Sequence, residues 1–172
     1  MSLVHSFPPL VPTHARVLIV GSMPGRASLA AGRYYAHLRN AFWPILGALL
    51  GFAAEAPYER RLAALADSGI ALWDVLASCE REGSLDGAIA RQGRTTNDFA
   101  ALFVSQPGLG TVLCNGGTAH DLFVRRVVPT LPRRPVVVRL PSTSPAHAKH
   151  SLAGKQATWA GALLPLLDGR RA

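Results

Sequence analysis

The residues best suited to chemistry crowd into one stretch, Gly21 to Leu46, GSMPGRASLAAGRYYAHLRNAFWPIL. Tyr34 and Tyr35 offer flat faces, and His37, Arg39 and Asn40 offer donors and acceptors, just ahead of an apolar helix start, Ala41-Phe42-Trp43. The stretch opens with a turn broken by glycine and proline, Gly21-Ser22-Met23-Pro24, directly after the apolar run Val17-Leu18-Ile19-Val20. Polar and aromatic groups therefore gather at the C-terminal mouth of a buried strand, where open α/β sheets bind ligands. A mere connector would be shorter and carry fewer aromatics.

The elements that must position these groups follow from periodicity and breakers. Arg16 to Val20 is the first buried strand, and Asn40 to Leu50 is an apolar helix interrupted near Pro44 and stopped by Gly51. Pro57 to Ser68 has helical spacing, with Leu62 and Leu65 on one face and Glu59, Arg60 and Arg61 on the other. Ile70 to Val75 reads as a second strand. Ser84 to Ile89 reads as a helix start with Asp86 in its first turn, and Thr96 to Phe103 as a short helix capped by Thr96 or Asn97. Thr111 to Cys114 is a third strand, Thr118 to Val128 a helix, Pro135 to Leu140 a fourth strand and Ser151 to Leu167 the closing helix. Strands alternating with helices predict a three-layer α/β/α fold, with a four-stranded, mainly parallel sheet and a single domain over 1–172. Three strand ends then converge on one sheet edge: Gly21 to Pro24, Asn115-Gly116, and Pro141-Ser142-Thr143-Ser144-Pro145. Such turns expose backbone N–H groups and permit close approach to phosphate or to a flat ligand.

Composition narrows the partners. Eighteen basic against ten acidic residues give a formal charge of +8 and a pI near 10.7, with arginine dominant. A basic domain of this kind suits a polyanion, nucleic acid first. Cys79 and Cys114 are too few and too far apart for a disulfide framework or a metal cluster, and are expected in the core of a protein from a reducing cytoplasm. No apolar run approaches the ~20 residues needed to span a bilayer, and Met1 to Pro12 lacks the pattern of a secretory signal. No metal or cofactor is expected.

The segment GSMPG…S…YYAHLRNAFWPIL, the later CNGG and LPSTSPAHA together resemble the hypoxanthine-DNA glycosylases, the sixth family of the uracil-DNA glycosylase superfamily. The resemblance runs from His5-Ser6-Phe7-Pro8-Pro9 to the closing helix with Trp159. It implies a monofunctional base-excision enzyme that flips a deaminated base out of double-stranded DNA and hydrolyses its N-glycosidic bond, with hypoxanthine from deoxyinosine the leading substrate. In related families the third residue of the first motif is Asn or Asp and handles the water. Met23 stands there in this chain and can do neither task, so the resemblance moves the duty to Asn40. Asn40 would hold a water beside the sugar carbon as an oxocarbenium ion develops; as a bare residue it equally suits the cap of the following helix.

By the same resemblance Tyr35 stacks on the flipped base, with Tyr34 in the same pocket, although either tyrosine could simply pack beneath the loop. Gly21, Ser22, Met23 and Pro24 form the pocket wall, and Asn115 reads the base edge or merely turns the chain. Ser142, Thr143, Ser144, Pro145 and His147 resemble the segment that fills the gap in the duplex, assisted by Lys149 and His150. His37 could stabilise charge on the departing base, and Arg39 lies beside it. Leu38 replaces the proline usual in the family. Asp74 ends the second strand at the same edge, but a lone Asp after a strand is commonly a cap, and it stays outside the catalytic set. Two other readings remain open: a uracil or mismatched-thymine glycosylase, and a silent DNA- or nucleotide-binding module on the same fold. The expected setting is the cytoplasm of a bacterium, and the expected state a monomer.

Overall fold

The structure is a computed structural model that describes residues 2–90 and 92–168, so the expected 1–172 extent passes beyond the described residues at both ends. In chain order the elements are β1 (Ser2–His5), β2 (Val17–Gly21), α1 (Arg26–Ala31), α2 (Phe42–Leu50), α3 (Tyr58–Asp67), β3 (Ile70–Asp74), β4 (Leu76–Arg81), β5 (Thr95–Thr96), α4 (Phe99–Ser105), β6 (Thr111–Asn115), α5 (Gly117–Leu122), β7 (Val136–Leu140) and α6 (Leu152–Leu167).

The main sheet has the order β3-β2-β6-β7, with every neighbouring pair parallel. Val17 and Ile19 of β2 pack into one apolar cluster with Phe42, Ile45, Leu65 and Trp159, while Leu18 and Val20 pack into another with Phe99, Phe103 and Phe123. Alternate side chains of one strand thus enter two cores, one under α2, α3 and α6 and one under α4 and α5. This is the predicted α/β/α layering, and it explains why β2 carries no polar alternation. β2 connects to β3 on one side while β6 connects to β7 on the other. The loops leaving β2 and β6 therefore part and open a crevice at their C-terminal ends.

Several local expectations are corrected. A second sheet, β1-β4-β5, antiparallel throughout, is built on Val4 opposite Cys79 and Ser78 opposite Thr95. Ser84 to Ile89 is no helix but a single 3-10 turn, Asp86–Ala88, and the helix expected from Thr96 begins at Phe99, capped by Asp98. Thr95–Thr96 is spent on β5 instead. Pro44 does not interrupt α2, because it lies in the first turn, where its missing N–H is not needed. The 118–128 helix widens and then tightens: α5 stops at Leu122, a π-helical turn spans Phe123–Val127 and a 3-10 turn follows over Val128–Thr130. Cys79 and Cys114 are free and buried, as expected, and burial pushes the Cys114 thiol up to about 12. Among the described residues no helix is long and apolar enough to cross a membrane.

Candidate active site

The crevice at the β2 and β6 ends is a cavity of about 600 Å³. Its wall contains Gly21 to Pro24, Tyr34, Tyr35, His37, Arg39, Asn40, Asn115, and the Ser142–Pro145 run with His147, so the structure brings together nearly every residue singled out from sequence. Lys149 is the exception; it is exposed and lines neither this cavity nor the groove beside it.

Tyr35 forms the aromatic wall. Phe42 stacks on it with ring centroids 3.9 Å apart and planes 21° from parallel. Its backbone takes φ of +54°, an uncommon conformation for a residue with a Cβ, and the loop is fixed around it. Ser28 Oγ accepts from the Ala36 N–H, and Trp43 Nε1 donates to the Tyr34 carbonyl. Tyr34 itself is buried and structural: its hydroxyl donates to the Pro8 carbonyl, and its backbone N–H donates to Tyr58. The Tyr35 hydroxyl is buried and makes no hydrogen bond of good geometry, the Asn115 amide being its nearest polar neighbour besides Asp74. Burial first, and the charge of Asp74 second, hold this phenol far above its ordinary pKa, so it remains a donor.

Asn40 lies one residue before Ala41, the N-cap of α2, and its Oδ1 accepts from the first helical N–H, that of Phe42, at 3.0 Å. With the oxygen committed inward, Nδ2 is the end left for a ligand, and the amide serves as a donor at the cavity mouth. Asn115 is more fully engaged. Its Nδ2 donates to Thr143 Oγ1 and its Oδ1 accepts from the Thr143 N–H, both at 2.9 Å. The Thr143 carbonyl then accepts from the Ala41 N–H. Thr143, 1% exposed, thereby ties the β6 end and the β7 loop to the start of α2. From beneath, Trp159 Nε1 donates to the Pro141 carbonyl and Lys155 Nζ to the Ser144 carbonyl. The main task of Asn115 is thus to lock the neighbouring loop.

The floor of the cavity contains groups the sequence reading left out or placed elsewhere. Asp74, 3% exposed, has Oδ2 with no partner. Burial and then the nearby Asp86 raise its pKa to about 7, with Arg81 opposing. Asp86 accepts a hydrogen bond of 2.5 Å from Ser22 Oγ. Arg81, buried on β4, donates through Nη2 to the Pro24 carbonyl and so fixes the first turn. Gly21 is required here: a Cβ would lie 2.5 Å from Asp74 Oδ1 and 3.1 Å from the Tyr35 hydroxyl.

Outside, a groove of about 480 Å³ runs from Arg39, Asn40 and Thr143 past Pro145 and His147 to His150 and Lys155, with no acidic residue along it. Leu38 stands fully exposed at its edge. The site is therefore polarised, with carboxyl groups at the floor and cations at the rim.

Comparison with known proteins points to one superfamily. The family model of the uracil DNA glycosylase superfamily matches residues 8–163. A hypoxanthine DNA glycosylase of Methanosarcina barkeri is 39% identical over 111 residues, covering 64% of this chain and 69% of the relative. Another from Methanosarcina acetivorans is 34% identical over 67% of this chain and 72% of the relative. A solution NMR structure from Methanosarcina acetivorans, described as a candidate uracil DNA glycosylase, superposes with a TM-score of 0.79 at 29% identity, covering 96% of this chain and 99% of that one.

Proposed function

The chain belongs to the uracil DNA glycosylase superfamily, and from that premise we propose that it is a monofunctional DNA glycosylase excising deaminated bases, hypoxanthine from deoxyinosine foremost. The observation that carries this reading is the polarised cavity: an aromatic wall, Tyr35 on Phe42, above a floor of carboxyl groups, opening into a groove without acidic residues. A flipped base loses its stacking neighbours and needs such a wall, while the phosphates flanking it need cations. The relatives named hypoxanthine DNA glycosylases support the choice of base.

In this reading the lesion nucleotide turns out of double-stranded DNA and its base enters between Tyr35 and the turn Gly21 to Pro24. Asn40, held by its bond to the first N–H of α2, donates from Nδ2 to the oxygen of a water near the sugar carbon. It takes no proton from that water. An amide suffices because the bond to the base loosens first, and the water adds to a sugar already approaching an oxocarbenium ion. The Ser142–Pro145 run with His147, locked through Thr143, fills the space the base has left. His37 and Arg39 border the mouth as phosphate or base contacts. The protein works as one domain, as a monomer, in the cytoplasm and without a cofactor.

Labelled duplexes containing inosine, uracil, xanthine or mismatched thymine, treated with the protein and then with alkali, test the proposal. Cleavage at inosine above the other lesions is the expected result. Preference for uracil or mismatched thymine would move the substrate within the superfamily, and no cleavage of any duplex would leave a binding module.

A further inference from the structure

The floor of the cavity holds two buried oxygen atoms without partners, Asp74 Oδ2 and the Tyr35 hydroxyl. They come from different elements, the end of β3 and the loop after α1, and it is the other carboxyl oxygen, Asp74 Oδ1, that closes with the Tyr35 hydroxyl over the bare Cα of Gly21. Burying polar atoms unpaired is costly. A site that keeps two of them facing one cavity is built to be completed by a ligand bearing hydrogen-bonding atoms. Building on the proposed glycosylase reading, we propose that Asp74 is a catalytic residue that touches the flipped base as a neutral carboxylic acid, donating its O–H to the oxygen or nitrogen on which charge collects as the base departs.

The surrounding charges favour this state. Asp86, on the 3-10 turn, is the partner that keeps the negative charge, since Ser22 donates to it and Arg81 of β4 lies near. Both tyrosines of the loop, Tyr34 and Tyr35, remain protonated beside Asp74. Two adjacent carboxyl groups facing one guanidinium carry a single negative charge most cheaply, and the more buried Asp74 keeps the proton, with its pKa raised to about 7.

The chemistry balances without a further reactant. The electron pair of the glycosidic bond passes to the base, water adds to the sugar carbon, and the proton released by that water neutralises the base. Asp74 keeps its proton throughout and contributes a preorganised donor, an effect worth ~10²–10³ in rate for a single group. Once ionised, the same carboxyl group would repel the developing charge. Asp74→Asn preserves a donor of nearly the same shape and cannot ionise.

The test is the single-turnover excision rate on an inosine duplex from about pH 5 to about pH 9, for wild type, Asp74→Asn, Asp74→Ala and Asp86→Asn, with duplex binding measured alongside. The wild-type rate should fall above neutrality. Asp74→Asn should stay active and lose that fall, and Asp74→Ala should show a pH-independent rate ~10²–10³ below the low-pH wild-type rate, with binding retained. Asp86→Asn, by removing the like charge, should move the fall to lower pH. An alkaline fall unchanged in Asp74→Asn, or a wild-type rate in Asp74→Ala, would overturn the proposal while leaving the glycosylase intact. Should Asp74→Ala fail to fold, the near-isosteric Asn variant still decides. Wild type inactive on every lesion would remove both readings.

Discussion

Asn115 and Thr143 satisfy each other in both directions, the amide donating to the threonine hydroxyl and accepting from its backbone N–H, each at 2.9 Å. Both residues are buried, so neither group has water to fall back on. Asn115→Ala strands two polar groups of Thr143, at a cost of about 1–3 kcal/mol. At this chain length that lowers the Tm by roughly 2–4 °C per kcal/mol. Combined with Thr143→Val in a double-mutant cycle, the pair should show a coupling energy of about 0.5–3 kcal/mol by denaturant unfolding. If Asn115 instead reads only the base, the single variant will keep its stability and the coupling will vanish.

Asn40 has two tasks, and substitution can separate them. Asn40→Ala loses the side-chain acceptor of the first N–H of α2, at a cost of about 0.5–2 kcal/mol, together with the donor at the cavity mouth. Asn40→Asp keeps an acceptor for the Phe42 N–H but has no N–H to offer a water. Thermal unfolding should therefore rank Asp close to wild type and Ala below it, while single-turnover excision should be abolished in Ala and severely reduced in Asp. Undiminished excision by either variant removes Asn40 from the chemistry.

The separation between what could and could not be read from the chain has a physical basis. Uninterrupted apolar runs such as Val17 to Val20 and Ile70 to Leu72 mark strands covered on both faces, and the parallel sheet followed directly from them. Leu76–Arg81, Leu-Ala-Ser-Cys-Glu-Arg, has no such signature; its strand state depends on pairing with Ser2–His5, more than seventy residues away. The cavity wall was legible because its residues are adjacent in sequence or end successive strands. Asp74 resembled a common cap because nothing near it in sequence reveals Asp86 and Arg81 beneath the same cavity. Asn115 showed the reverse: its position was right, but the reciprocal bond that occupies it belongs to a loop twenty-eight residues later.

Tyr35 combines a backbone of positive φ with a buried hydroxyl that has no partner, both unfavourable in the free protein. Removing the hydroxyl alone should relieve one of these. Tyr35→Phe is expected to raise stability by about 1 kcal/mol, seen as a higher denaturation midpoint, because no hydrogen bond is lost and an orphan is removed. The Phe42 stack survives, so excision should persist at a reduced rate. A loss of stability would mean that the hydroxyl has a partner in solution.

The distribution of cations around the mouth predicts unequal effects on DNA affinity. Arg39 is exposed and borders both the cavity and the outer groove, whereas Lys149 borders neither. Each phosphate contact contributes about 0.9 to the slope of log affinity against log salt. Arg39→Gln should reduce that slope by about 1, and Lys149→Gln should leave it unchanged. Fluorescence anisotropy on a lesion duplex across a salt series measures both. A salt-independent wild type would count against phosphate contact altogether.

Asp74 also makes stability depend on pH in a direction opposite to that of most carboxylates. Its native pKa is raised from 3.8 to about 7, chiefly by burial and then by Asp86. Between those values the folded protein holds a proton that the unfolded chain has released, so rising pH favours unfolding. The penalty is absent below about pH 4, grows through the window and is complete above about pH 7. Asp74→Asn does not titrate and escapes it. Its Tm advantage over wild type should be small near pH 4, widen steadily toward neutrality and level off above it. Scanning calorimetry of the two proteins at matched pH isolates this contribution, because every other titrating group is shared. A constant difference across the range would mean that Asp74 is ionised in the native state, and the neutral acid at the cavity floor would have to be abandoned.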